Sequence, residues 1–338
     1  LQQELRSRNI PHAISPVVWW VTGKSISNHI RRVFISDQFH SISAINRLVE
    51  DRKIDLVYSN SSVFPIGRII SILNGLPHIW HIREFGDLDF NLKYIPPKWL
   101  CRKFIRGSTA VICNSKAVRS YYFKDRNDHH ISVIYNGIAV RQQFDEFKAR
   151  RSITERNLVY TFLIIGSLSA RKGQESALRA IASLKDQGLN LRLIVAGSGR
   201  EKDVTKYLQL ASTLGISDRV EFTGFLTNPY EAYFKADCLL MCSEYEAFGR
   251  VTAEAMSACL PVIGKNSGGT PEIIEHEKTG LLYNTFEELV DSMRWIAQNP
   301  EWGRQLGLEG WRLAKERFNI EDYAANVYRV IQSVMKEK

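Results

Sequence analysis

The chain has 338 residues, 44% hydrophobic and 24% charged, with a net charge of +9. These values suit a globular protein of two domains and exclude a disordered or fibrous chain. The charge is uneven: residues 1–156 hold 24 Lys and Arg against 13 Asp and Glu, whereas residues 157–338 hold 21 against 23. A basic half and a near-neutral half point to different partners, with nucleic acid, an anionic membrane or a phosphorylated acceptor facing the first.

The longest apolar run, Leu158 to Leu168, is about half of the ~20 residues that a spanning helix needs. No basic-then-apolar leader opens the chain. The five cysteines (Cys101, Cys113, Cys238, Cys242, Cys259) form no CxxC pair. They read as buried thiols in a reducing compartment, so the expected location is cytoplasmic.

Taken in order, the chain opens on a helix end, a Pro-marked turn and a strand containing Trp19 and Trp20. Neighbouring strand residues face opposite ways, and core packing is the expected role of this pair. Residues 39–53 carry an amphipathic helix pattern, and IDLVYSN a strand. FPIGRIISILNGL reads as a helix closed at Asn74-Gly75. PHIWHIREFG is a strand ending in His81, Arg83 and Glu84. A helix follows over 101–106, then the strand Ala110 to Cys113, then a helix capped near Asn114 or Ser115. ISVIYNGI is a further strand, turned at Asn136-Gly137. Repeated β-α alternation predicts a parallel sheet with helices on both faces. Ligands of such sheets bind beyond the carboxyl ends of the strands, where His81, Arg83, Glu84, Asn114, Ser115 and Asn136 would stand.

Residues 139–157 are polar and read as a linker. A second α/β run begins at VYTFLIIG. The loop Gly166-Ser167-Leu-Ser-Ala-Arg171-Lys172-Gly173 lies between that strand and a helix ending at Gly188, so two cations would face the strand end. LRLIVAGSG, a helix, and RVEFTGF follow. Gly197 and Gly199 form only a GxG, with Lys202 at the third glycine position. After Gly280 the pattern reads as helical to the end of the chain.

The run SEYEAFGRVTAEAMSACLPVIGKNSGG, residues 243–269, begins where the buried strand Ala236 to Cys242 ends. Val251, Ala255 and Ala258 follow at helical spacing. Gly249 at the junction lets a ligand approach the main chain. The N–H groups of Gly249, Arg250 and Val251 would then form an anion-binding helix start. Glu246 and Glu254 bracket it. Phosphate-binding amides between two acceptors of hydroxyl hydrogen bonds suit a nucleotide-sugar, although carboxylates also favour helix starts for electrostatic reasons alone.

Glu246-Ala-Phe248-Gly249-Arg250-Val251-Thr-Ala-Glu254, Leu260-Pro-Val and Gly268-Gly269-Thr-Pro-Glu272 together resemble the E-x7-E region of retaining GT-B glycosyltransferases, family 4. HIRE, CNS and YNG extend the resemblance more loosely into the first half. The resemblance implies an α/β, GT-B fold: two Rossmann-like domains with parallel sheets facing across a cleft. Domain one would be 1–145, with 321–338 packing back on it, and domain two 146–320. In the resembled family a first strand, a Gly-rich loop and a first helix come before the point where residue 1 stands, and the sequence reads as lacking them.

The implied reaction is transfer of a hexosyl or N-acetylhexosaminyl group from a UDP- or GDP-sugar to a glycan or lipid-linked hydroxyl, with retention and no metal. Cell-surface polysaccharide biosynthesis is the implied setting. No cofactor is implied besides the nucleotide-sugar as co-substrate. Arg171 and Lys172 would clamp the diphosphate, with Ser167 standing where the family usually has Arg. Glu246 would hold sugar hydroxyls, Glu254 the ribose, and His81 would meet the donor sugar. Gly166, Gly197, Phe225, Phe248, Gly249, Arg250 and Val251 complete the implied donor site. Arg83, Glu84, Asn114, Ser115 and Asn136 form the implied acceptor side. Phe225 reads equally as core, and Glu272 as a first-turn helix residue. Asp87-Leu-Asp89 has the D-x-D form of a metal site but reads as chance.

Other readings stay open: an epimerase of the same fold, a catalytically weak nucleotide-sugar-binding module, and a nucleic-acid binder suggested by charge alone; no recognised binding motif supports the last, so no nucleic-acid partner is expected. Lys93, Lys98, Arg102, Lys103 and Arg106 beside Trp99, Leu100, Phe104 and Ile105 suggest a helix on the inner face of an anionic membrane.

Overall fold

A computed structural model describes residues 2–15, 17, 19–23, 37–90, 92–124, 128–154 and 158–336. The chain divides into two units. Unit 1 is Leu1–Ile112, Asp125–Ser132 and Ile331–Lys338; unit 2 is Cys113–Lys124 and Val133–Val330.

Unit 1 contains, in order, α1 (Gln2–Ser7), β1 (Val21–Thr22), α2 (Asp37–Arg52), β2 (Val57–Ser59), α3 (Ile66–Asn74), β3 (His78–Ile82), α4 (Asp87–Phe90), β4 (Lys93–Tyr94), α5 (Lys98–Arg106) and most of β5 (Ala110–Cys113). After α6 (Lys116–Phe123), β6 (Ile131–Val133) completes a four-stranded sheet ordered β2-β3-β5-β6. The predicted close of α3 is present. Gly75 takes a left-handed φ of 61° and its N–H caps the helix end. The core role expected of Trp19 and Trp20 holds for Trp20 alone, and β1 begins just after the pair: Trp20 is buried and stacks on Trp80 at 5.7 Å, whereas Trp19 is half exposed. The indole N–H groups of Trp20 and Trp80 each donate at 2.7 Å, to the carbonyls of Ser62 and Ser61, so burial leaves neither unsatisfied.

Unit 2 holds a six-stranded sheet ordered β12-β11-β10-β7-β8-β9, built from β7 (Tyr160–Ile165), β8 (Leu191–Ala196), β9 (Val220–Gly224), β10 (Cys238–Met241), β11 (Val262–Lys265) and β12 (Leu281–Tyr283). Every neighbouring pair is parallel. A parallel sheet needs both faces covered. α8 (Gln174–Asp186), α9 (Glu201–Thr213) and α13 (Phe286–Gln298) supply apolar residues to one core cluster with the strands. α10 (Tyr230–Lys235), α11 (Arg250–Ser257), α12 (Thr270–Ile273) and α14 (Pro300–Arg317) supply the other. α15 (Ile320–Lys336) ends the chain, and the division between units falls within it.

The stretch expected to be a linker is instead α7 (Arg141–Ile153), packed on unit 2. Phe144 is fully buried there. Arg151 donates to the carbonyls of Tyr233, Phe234, Ala236 and Ala258, with distances of 2.6 to 3.4 Å. Its polar sequence misled because a few side chains, Phe144, Phe147 and the Arg151 guanidinium, do the anchoring. The guanidinium satisfies carbonyls at the ends of α10 and α11 that no helix bond can reach.

Candidate functional site

The loop after β7 lies against the loop after β10. Gly173 has φ 74°, and a Cβ there would strike the backbone of Cys242, so only glycine admits this approach. The main-chain N–H of Glu244 donates to the Arg171 carbonyl at 3.1 Å. Lys172 Nζ pairs with Glu246 Oε2 at 2.7 Å, both groups partly screened from solvent. Thus a cation assigned to phosphate and a carboxylate assigned to sugar, 74 residues apart in sequence, meet at the strand ends.

Gly249 takes a left-handed φ of 95° and starts α11 without any side-chain cap. The first-turn N–H groups therefore keep the partial positive charge of a helix start. Gly268 and Gly269 have a role the sequence did not show. A Cβ on either would hit the main chain of Glu246 or Ala247. Gly269 N–H donates to the Glu246 carbonyl at 2.7 Å, and Ser267 Oγ to the Glu244 carbonyl at 2.6 Å. The glycine pair clamps the Glu246 loop. Phe248 gives its ring to the core, beside Phe318 at 5.5 Å and Tyr135 at 6.1 Å, so its side chain anchors the loop from within. Val251 is half-buried against the same cluster.

Glu254, on α11, is almost wholly buried. Its Oε1 accepts from Arg250 Nε at 2.6 Å and its Oε2 from Tyr233 hydroxyl at 2.9 Å. Tyr233 was not singled out from the sequence, since on a short helix beside Phe234 it reads as core. Gln174 was also missed: it is buried, and its Nε2 donates to the Ser167 carbonyl at 3.0 Å, bracing the cation loop.

Gly166 and Gly197 touch each other: a Cβ on Gly197 would meet the Gly166 carbonyl, and Leu168 N–H donates to the Ser198 carbonyl at 2.9 Å. Ser167 is exposed on the same loop. Phe225, open between two readings, is 75% exposed just after β9 and therefore not core. Glu272 lies in the first turn of α12 as expected. Beyond that, its carboxylate accepts from the N–H groups of Lys116 and Ala117, each at 2.7 Å, and from Tyr135 hydroxyl at 3.0 Å. It thereby neutralises the start of α6. Ser115 caps the same helix, accepting from Val118 N–H at 3.0 Å. Asn114 is buried, and Asn136 half-buried, both within unit 2.

In unit 1, His81 is fully buried at the end of β3, with Nδ1 2.6 Å from Tyr58 hydroxyl. Burial first, and the nearby Arg83 second, lower its pKa to about 3, so the ring is neutral. Arg83 is half-buried. Glu84 accepts from the hydroxyls of Ser61 and Ser62, at 2.7 and 2.8 Å, and from Ser62 N–H, so its carboxylate orders a loop of its own unit. Asp87 pairs with Lys98 at 2.9 Å and Asp89 accepts from Phe85 N–H at 2.7 Å.

Comparison with known proteins matches this architecture. Residues 145–310 match the family model described as glycosyl transferases group 1, and residues 6–142 that of glycosyltransferase family 4. A glycosyltransferase of Methanocaldococcus jannaschii is 31% identical over 246 residues, covering 68% of this chain and 62% of its own length. The N-acetyl-alpha-D-glucosaminyl L-malate synthase of Bacillus anthracis is 28% identical, covering 61% of this chain and 55% of its own. The chain thus spans about six-tenths of these relatives. A crystal structure of Anabaena HepE in complex with UDP and glucose superposes with a TM-score of 0.77 at 20% identity, covering 98% of this chain and 89% of that one. The two Rossmann-like parallel sheets, the paired family models and the E-x7-E loop agree, and the chain belongs to the GT-B glycosyltransferases of group 1, family 4.

Proposed function

We propose that the protein is a retaining glycosyltransferase that moves a hexosyl or N-acetylhexosaminyl group from a UDP- or GDP-sugar to a hydroxyl of a glycan or lipid-linked acceptor. The observation that carries this is the meeting of Lys172, Glu246 and the uncapped start of α11 at the ends of β7 and β10. Transfer breaks the bond between sugar C1 and the diphosphate oxygen and the O–H bond of the acceptor, forms a bond from C1 to the acceptor oxygen, and passes the acceptor proton to the leaving diphosphate. Negative charge then grows on the leaving diphosphate. Arg171, Lys172 and the N–H groups of Gly249 to Val251 would stabilise it in place of a metal. Glu246 would hold sugar hydroxyls, and Glu254 the ribose. Relatives named as using GDP-mannose and a neighbour solved with UDP-glucose support a nucleotide-sugar donor.

Mass spectrometry of products, using a panel of nucleotide-sugars and hydroxyl acceptors, tests the reading. A new glycoside with release of nucleoside diphosphate is the expected result. Interconversion of donor sugars without an acceptor would favour the epimerase, and binding without turnover the binding module; either would overturn transfer.

A further inference from the structure

We propose that Tyr233 is a positioning residue: its buried hydroxyl fixes the Glu254 carboxylate in the orientation that receives the two ribose hydroxyls, and so sets the preference for ribonucleotides. The proposal rests on the reading of Glu254 as the ribose acceptor.

A carboxylate as buried as Glu254 needs partners for both oxygens. The two it has are unlike. Arg250 reaches Oε1 from the next helical turn, and its side chain is 76% exposed. Such a surface partner exchanges readily with water or ligand. Tyr233 reaches Oε2 from α10 and is fully buried. Its ring packs edge-on to Tyr230 at 5.5 Å, and Tyr230 stacks on Phe147 of α7 at 4.1 Å. Tyr230 hydroxyl lies 3.2 Å from Ser257 Oγ, which donates to the Glu254 carbonyl at 2.6 Å. The tyrosine is thus held from behind, and the main chain of Glu254 is held beside it.

An ionised carboxylate has about four acceptor directions. Tyr233 and Arg250 use one on each oxygen, which leaves one on each for a vicinal pair of hydroxyls. Burial, and next the charge of Glu254, push the phenol pKa well above its ordinary value, so the group stays a donor at any working pH. Without the hydroxyl, Oε2 loses its fixed donor and the carboxylate is free to turn toward Arg250. Recognition of ribose should then weaken while contacts to the diphosphate persist.

The test compares UDP and GDP with their 2′-deoxy and 3′-deoxy forms by calorimetry, in the wild type, Glu254→Gln and Tyr233→Phe, with thermal melting as the check on folding. The wild type should prefer the ribonucleotides, and Glu254→Gln should abolish that preference. Tyr233→Phe should reduce the ratio about tenfold, and Tyr233→His, whose ring N–H can donate, should restore part of it should the phenylalanine variant fold poorly. A full wild-type ratio in folded Tyr233→Phe, with the ratio lost in Glu254→Gln, would refute the role of Tyr233 alone. A ratio unchanged in Glu254→Gln, or absent from the wild type, would remove the ribose reading and this inference with it.

Discussion

Two carboxylates eight residues apart do different work in this account. Glu246 is paired with the phosphate-side cation Lys172, whereas Glu254 is buried behind the helix start with Tyr233. Glu246→Gln is therefore expected to cut turnover by a factor of about 100, in line with the loss of a charged hydrogen bond in the transition state, while nucleoside-diphosphate affinity changes less than threefold. Glu254→Gln should instead weaken nucleotide affinity. Steady-state kinetics alongside calorimetry separate the two, and the reverse pattern would show the roles exchanged. The spacing of the two glutamates was visible in the sequence. Their partners were not, since Lys172 and Tyr233 come from other elements and only folding brings them close.

The same residue scale yields a pH dependence. His78 and His81 are both buried and neutral, each with a pKa lowered to about 3, mainly by burial. His78 sits between Ser59 and Ser108 hydroxyls, at 2.8 and 2.9 Å. An unfolded histidine titrates near 6.5, so below that pH the unfolded chain binds more protons than the folded one. Stability is therefore full above about 6.5 and falls as the pH drops toward 3, by about 2 kcal/mol per histidine at pH 5. Thermal melts from pH 8 to pH 5 should show the decline, and His78→Gln should flatten it. Melting temperatures that are level over this range would mean that neither ring is held neutral.

At the scale of elements, the regular parts were legible and the polar ones were not. β10, a short apolar run buried on both faces, and α8, an amphipathic helix, fall where their patterns put them, whereas the three-residue strand β12 is too short to show against the helical pattern expected after Gly280. α7 escaped, since its few anchors carry no periodic signal. Arg151→Ala should nonetheless destabilise unit 2 by about 3 kcal/mol, because four carbonyls lose a charged donor. A melting temperature unchanged in this variant would show that α7 contributes little.

α5 divides the basic and apolar residues that suggested a membrane surface. Phe104 packs on Trp20 and Trp80, and Ile105 is buried, so both belong to the core. Lys98 and Arg106 are tied to Asp87 and Asp128. Trp99, Leu100 and Lys103 remain exposed. That smaller face still carries a proposal of contact with anionic lipid, at about 1 kcal/mol per cation near the surface. Sedimentation with liposomes should require anionic lipid, fall with added salt and weaken in a Trp99→Ala/Lys103→Ala variant. Equal sedimentation with neutral liposomes would remove the electrostatic part of the proposal. Among the described residues no helix is long and apolar enough to cross a membrane.

At the scale of the whole molecule, the chain keeps its proposed donor chemistry in unit 2, where the loops after β7, β10 and β11 brace one another through glycines and main-chain bonds. These loops are proposed to bind the diphosphate of a nucleotide-sugar through protein cations and a helix start rather than a metal. Calorimetric titration of UDP and GDP into the wild type and an Arg171→Ala/Lys172→Ala variant, all in EDTA, tests it most directly. At roughly 1.5–3 kcal/mol per charged hydrogen bond, the variant should bind at least tenfold more weakly than the wild type, which should bind one of the two nucleotides without any added metal. Equal affinity in the two proteins, or wild-type binding that appears only when Mg²⁺ or Mn²⁺ replaces the chelator, would show that Arg171 and Lys172 do not hold the diphosphate or that a metal does.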